Sequence, residues 1–263
     1  MPTRPVRDRG LHTLASRCRR LVLSSSIFLC AMLAACSSGG GSGSESGEVV
    51  SPGSLAGPRI EAATVLVVGD SLSSGYGLDG ASSWVDLMEE ELSDYVNELQ
   101  VVNASVGGET AGGASRRLPM IIEASEPDLL VLQVGLNDAF RRAPPADLRT
   151  DLETMSVLAS ESGAQVLMIA EGMPLNYGPA YSEMVAAAFR DAAANTGATL
   201  IPRFLERIAD DRSWFQEDGL HPTAAAQPLL LETVLPTIIE LLGIDVSAMF
   251  AAIPVPARVD RRP

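Results

Sequence analysis

A chain of 263 residues, 46% hydrophobic and with a formal charge of −14, is long enough for one globular domain of ordinary size with flanking segments to spare. Arginine supplies every basic side chain, because there is no lysine, and so acidic a surface repels phosphate backbones. Nucleic acid is therefore not expected as a partner.

The N-terminus carries Arg4, Arg7, Arg9, Arg17, Arg19 and Arg20, then an apolar run Leu21–Leu33, then Ala34-Ala35-Cys36 and Ser37-Ser38. This is the layout of an export signal over residues 1–35. A membrane-spanning helix needs about 20 apolar residues, whereas this shorter run holds Ser24, Ser25 and Ser26, so a permanent anchor is disfavoured. Removing the signal leaves 13 arginines against 32 acidic residues, a charge of −19. It also removes Cys18 and Cys30, so only Cys36 remains and no internal disulfide is possible. Residues 36–60 are rich in Gly and Ser and read as a flexible linker with a reach of roughly 25 Å.

Beyond the linker, Val65-Leu66-Val67-Val68 is an apolar run stopped by Gly69, which fits a strand buried on both faces. Trp84 to Leu92 has helical apolar spacing, with Glu89, Glu90 and Glu91 toward solvent. A short strand at Gln100–Val102 ends at Asn103, and Thr110 to about Ala124 reads as a helix in spite of Gly112 and Gly113. There follow a strand at Leu129–Val134, a helix at Pro145–Ser160, a strand at Gln165–Ile169, a helix at Tyr181–Asn195 and a strand at Thr199–Ile201. The last helix, Thr223–Leu242, is expected to kink at Pro228 and Pro236. This alternation predicts an α/β domain over residues 61–243, with a parallel sheet between two layers of helix. Residues 244–263, with Pro254, Pro256 and Pro263, read as a mobile tail.

Gly69-Asp70-Ser71-Leu72 delivers a serine at the carboxyl end of the first strand, where open α/β sheets bind ligands. A serine hydroxyl is a poor nucleophile unless an imidazole takes its proton and a carboxylate orients that imidazole. The chain has two histidines, and His12 lies in the expected signal. That leaves His221, with Asp218 three residues before it. Taken singly, Ser71 equally suits a turn or helix cap, Asn137 a turn, and His221 an exposed position before a proline. One histidine without cysteine partners cannot build a typical transition-metal site, so no metal is expected, and no cofactor.

Four blocks in order, Gly69-Asp70-Ser71-Leu72, Asn103-Ala104-Ser105-Val106-Gly107-Gly108-Glu109-Thr110, Gly135-Leu136-Asn137-Asp138 and Asp218-Gly219-Leu220-His221-Pro222, resemble the signature of the GDSL or SGNH hydrolases. The resemblance runs from about Thr64 to about Leu242. In its details it is nearest to bacterial arylesterases with thioesterase and lysophospholipase activity. It implies a three-layer α/β/α sandwich with five parallel strands in flavodoxin-like order. It also implies a serine esterase acting on acyl esters or lysophospholipid through Ser71, Asp218 and His221. Its oxyanion donors would be the Ser71 and Gly108 backbone amides and the Asn137 side chain, with Asp70 in a supporting hydrogen-bond role. Tyr76, Leu78, Met173, Leu175, Tyr177 and Tyr181 are candidates for an acyl groove. A carbohydrate O-acetylesterase uses the same fold and triad and stays open, as does a tethered binding module with a decayed site. Leu33-Ala34-Ala35-Cys36 resembles a bacterial lipobox, which implies lipidation at Cys36 and a lipid-anchored place in the bacterial cell envelope. A plain secretory signal cut near Ala35 is the alternative.

Overall fold

The computed structural model describes residues 60–173 and 177–245. The expected signal, Cys36, nearly all of the linker, Leu175 and residues 246–263 of the tail lie outside them.

The sheet is built around β1 (Ile60–Gly69), which pairs in parallel with β2 (Val96–Asn103) on one side and β3 (Leu129–Gln133) on the other. β4 (Gln165–Ile169) and β5 (Thr199–Ile201) complete five parallel strands in the order β2-β1-β3-β4-β5, the flavodoxin-like order expected. Side chains alternate across each strand, so neighbours in sequence enter opposite layers. Leu66, Val68, Leu130 and Leu132 pack with helices α2 (Ala111–Ser125), α4 (Pro145–Glu161) and α5 (Pro179–Thr196). Val65, Val67, Leu129 and Val131 pack with α1 (Trp84–Leu92) and α6 (Gln227–Leu241), around Trp84 and Phe204. Residues 65–68 are wholly buried because both layers cover them, and each such side chain stabilises the fold by about 1.5–3 kcal/mol relative to exposure.

Local chemistry sets where the helices begin. Ser83 and Asp86 form a reciprocal capping box on α1, and the Thr110 hydroxyl accepts from the Gly113 amide to cap α2. The two glycines that weakened the case for α2 make room. A Cβ at Gly113 would collide with the Glu109 carboxylate, which lies across the helix to pair with Arg117 at 2.8 Å.

β1 starts five residues early, at Ile60, and three further elements differ from expectation. β2 starts four residues early, at Val96, because a half-exposed edge strand tolerates Asn97 and Glu98 and so lacks an apolar run. A further short helix, α3 (Leu136–Phe140), occupies the Gly-Leu-Asn-Asp block and is too short to show a helical period. The last expected helix opens as a 3-10 turn over Ala224–Ala226, and Pro228 falls in the first turn of α6, where its missing N–H breaks no bond; only Pro236 is interior. The edges of the domain also shift. Ile60, expected in the linker, already belongs to β1, and Ile244, expected in the tail, is buried against the α1/α6 layer because both are large apolar side chains beside open core.

Gly135 joins β3 to α3 at φ 121°, a conformation that disfavours any Cβ, and a Cβ there would lie 2.8 Å from Phe189 and 3.0 Å from Leu148. Gly135→Ala should therefore cost about 2–4 kcal/mol from backbone strain and overpacking together. The check is the urea midpoint at constant m-value; a midpoint equal to that of the parent protein would contradict this account.

Candidate active site

The three expected blocks end at one edge of the sheet because β1, β2 and β3 are adjacent and parallel, so all their carboxyl ends face the same way. β1 stops at Gly69, where a Cβ would lie 2.7–2.9 Å from the side chains of Ser73 and Ser105; only glycine lets the chain pass there. The chain then turns. The Ser73 and Ser74 amides both donate to the Asp70 carbonyl, and this turn carries Ser71.

Ser71 meets a residue 150 positions away. Its Oγ lies 2.8 Å from His221 Nε2, and His221 Nδ1 lies 2.6 Å from Asp218 Oδ2. The other carboxylate oxygen, Asp218 Oδ1, accepts from the Leu220 and His221 backbone amides at 2.8 and 3.0 Å. The hydrogen bond from the His221 ring, then that from the His221 amide, holds the Asp218 carboxyl down to about 2. Since Nδ1 faces an acceptor carboxylate, it carries the proton, and Nε2 is left to accept from the serine. The Tyr76 ring leans on the imidazole, with centroids 4.4 Å apart.

The loop that presents Asp218 and His221 is held by two residues the sequence did not single out. Arg212 donates to the carbonyls of Phe215, Gln216 and Glu217 at 3.2, 2.5 and 2.7 Å. Gln216 donates from Nε2 to the carbonyls of Tyr76 and Pro222, both at 3.0 Å, and so ties the histidine loop to the serine loop. An exposed arginine and a half-buried glutamine outside every motif give no signal in the sequence.

Asp70 takes the expected supporting role. It is buried, and its carboxylate accepts from the Leu72 amide at 3.0 Å, Gln133 Nε2 at 3.1 Å and Asn137 Nδ2 at 3.2 Å. Burial raises its pKa, and these hydrogen bonds oppose the rise. Asn137 therefore has one amide hydrogen engaged and a second left over. Asp138 accepts from the Ala111 amide at 2.9 Å, fastening α3 to the start of α2. Gly108 sits at φ 76° with open space where a Cβ would be. That backbone conformation favours glycine at this position. The amides of Ser71 and Gly108 donate to no protein acceptor among the described residues.

A cavity of about 790 Å³ is lined by residues that flank these groups in sequence, Leu136 next to Asn137 and Leu220 next to His221, though by none of Ser71, Gly108, Asn137, Asp218 or His221. Leu136, Phe140, Met173, Leu205, Phe215 and Leu220 supply its apolar wall. Of the described residues expected to line an acyl groove, only Met173 lines this cavity. Tyr177 stacks on Phe140 with centroids 5.6 Å apart, Tyr181 donates to the Ala143 carbonyl, Leu78 is buried, and Tyr76 covers His221. Among the described residues no three His, Cys, Asp or Glu side chains cluster as a metal site would require. A hydroxyl against an imidazole, an imidazole against a carboxylate, and unengaged N–H groups at the same sheet edge suit acyl transfer.

Known proteins bear on this arrangement. The sequence profile of the GDSL-like lipase/acylhydrolase family matches residues 67–228. The esterase TesA of Pseudomonas aeruginosa is 42% identical over 184 residues, covering 70% of this chain and 92% of that protein. The thioesterase 1/protease 1/lysophospholipase L1 of Escherichia coli K12 is 30% identical over 169 residues, or 64% of this chain and 80% of that one. A crystal structure of TesA aligns with a TM-score of 0.66 at 42% identity, over 68% of this chain and 99% of that chain. A match through all four blocks, on a sheet of the expected order, leaves one assignment: the chain belongs to the GDSL-like lipase/acylhydrolase family.

Proposed function

We propose that this carboxylic ester hydrolase works through Ser71 as nucleophile, His221 as general base and then general acid, and Asp218 as the group that orients the imidazole. The observation that carries the reading is the continuous file of hydrogen bonds from Ser71 Oγ through His221 to Asp218. Ser71 Oγ attacks the ester carbonyl while its proton passes to His221 Nε2, forming a tetrahedral oxyanion. The Ser71 and Gly108 amides and the spare Asn137 N–H receive that charge. Collapse expels the alcohol, protonated by His221, and leaves an acyl-serine. Water, deprotonated by the same imidazole, then releases the acid and restores Ser71.

The substrates we infer are short to medium acyl esters and zwitterionic lysophospholipid, in preference to acyl-CoA. The apolar wall of the 790 Å³ cavity suits an acyl chain, and the acidity of the protein disfavours a highly anionic thioester. The E. coli relative carries both thioesterase and lysophospholipase in its name, so the choice between them is the point to test. We further propose that Cys36 is lipidated and that the enzyme is tethered in the bacterial cell envelope, from the lipobox-like Leu33-Ala34-Ala35-Cys36 and the Gly/Ser-rich stretch behind it.

Three outcomes are expected. Ser71→Ala should lower kcat by about four orders of magnitude or more without altering the circular dichroism, and should abolish fluorophosphonate labelling. The measurement is a hydrolysis profile over p-nitrophenyl esters of graded length, acetylated xylan, lysophosphatidylcholine and acyl-CoA. Retention of a tenth of the activity would remove Ser71 from its role, and activity confined to acetylated xylan would remove the lipid-ester reading.

Activity should fall on the acid side, because the imidazole must be neutral to take the serine proton and because Asp70, raised by burial, loses the charge that holds Asn137 as pH drops. Asp218, held down to about 2, is the last of the site carboxylates to be protonated. The stability Asp218 lends, largely screened because the group is exposed, is present above the ordinary carboxylate range and fades only as pH drops toward about 2. A kcat/KM profile that stays flat from neutral pH down to about pH 3 would contradict this.

Cys36→Ser should end incorporation of labelled palmitate by cells expressing the full chain. Equal incorporation by the variant would refute the tether.

A further inference from the structure

Behind the serine turn lies a set of buried polar groups with no part in the steps above. Gln133 ends β3, and Glu171 follows β4, just after Ala170, whose amide donates to Ile201 and whose carbonyl accepts from Phe204. Gln133 Oε1 accepts from the Ser73 hydroxyl at 2.5 Å, and the acceptor-only Asp70 carboxylate on the other side fixes the orientation of its amide. Its NH2 then faces two carboxyl groups, donating to Asp70 Oδ1 and to Glu171 Oε1, each at 3.1 Å. Asp70 uses its other oxygen to accept from Asn137. One file of hydrogen bonds thus runs from Glu171 through Gln133 and Asp70 to Asn137, across three neighbouring strands.

The two carboxyl groups are not equivalent. Asp70 receives three donors, which suits a carboxylate, whereas Glu171 receives one, and its Oε2 is buried with no partner. An anion at Glu171 would leave a buried charge half unpaired beside a second one; a neutral acid there leaves only a hydroxyl. Burial, with the nearby Asp70 charge, pushes the Glu171 carboxyl well above the usual range, in agreement with that geometry. A neutral Glu171 offers Oε1 as an acceptor without competing with Asp70 for charge.

We propose that Glu171 and Gln133 are positioning residues for ester hydrolysis: acting through Asp70, they fix the direction in which the Asn137 amide offers its free N–H to the oxyanion. The inference rests on the reading of Asn137 as an oxyanion donor. Without the Glu171 acceptor, one buried N–H of Gln133 is left unmade and its amide is free to turn away from Asp70. The Asp70 carboxylate then loses one of the donors that hold its plane, and Asn137 follows. A donor aimed slightly wrong loses much of its effect on the transition state and little on substrate binding.

The test uses the full chain and a short p-nitrophenyl ester. Glu171→Leu should lower kcat by about 10–100-fold with KM within about two-fold, and Glu171→Gln, which keeps a neutral acceptor, should restore kcat to within about three-fold of the parent. Combined with Asn137→Ala, Glu171→Leu should cost almost nothing further, because the donor it aims is gone. Should Glu171→Leu not fold by circular dichroism, Gln133→Leu breaks the file at its centre and is scored in the same way. Parent-like kcat in the Leu variant, an equal loss in Glu171→Gln, additive losses in the double variant, or failure of both Leu variants to fold would each overturn the proposal. Asn137→Ala alone separates the two claims: if it keeps full kcat, the oxyanion reading falls, whereas if it loses kcat and Glu171→Leu does not, only the present inference falls.

Discussion

The site depends on one buried carboxylate. Asp70 sits at the junction of the serine turn, β3 and α3, and accepts a hydrogen bond from each: the Leu72 amide, the Gln133 side chain and the Asn137 side chain. Three structural pieces that share no sequence are thereby referenced to one point. A carboxylate suits this task because it accepts at both oxygens and never donates, so three donors can converge on it without competition. Its charge is costly in an apolar interior, and that cost is offset only while all three donors stay in place. The arrangement is consequently cooperative: loss of one donor weakens the hold on the others.

The parallel sheet provides the frame for that junction. With β1 flanked on both sides and covered on both faces, the carboxyl ends of three strands are brought to one edge by burial alone. Acidic character elsewhere on the surface plays no part in this geometry. The sheet positions Ser71, Gly108 and Asn137, and a side-chain-braced loop positions Asp218 and His221.

What the sequence revealed and what it hid divide along physical lines. Largely buried strands such as Leu129–Gln133 and Gln165–Ile169 were legible because β-branched and leucine-rich runs leave few alternatives. The edge strand β2 was seen only in part because water on one side admits polar residues, and α3 was missed because five residues hold little more than one helical period. The grouping of Ser71, Asp218 and His221 that the structure brings together was legible from chemistry, since a serine nucleophile needs an imidazole and only His221 remained beyond the expected signal. Gln133 and Glu171 left a faint mark, each a polar residue at the end of an apolar strand, but their partners lie 38 to 63 residues away and contact at that range has no local signature. Arg212 and Gln216 left none, because they act on backbone carbonyls, which every residue has.

The bracing of the histidine loop separates two kinds of stability. No residue from 211 to 221 is buried, and the loop closes on itself through the Arg212 contacts and an isolated bridge between Phe215 and Pro222. Core strands open only when the whole domain unfolds, whereas a solvent-facing segment held by a few polar contacts opens locally and at lower cost. Warming or denaturant would therefore disconnect the base from the nucleophile while the sheet still stands. The contacts that keep the imidazole against the serine are thus a handful of guanidinium and amide hydrogen bonds, so local opening of this loop would end hydrolysis without any loss of the hydrophobic core.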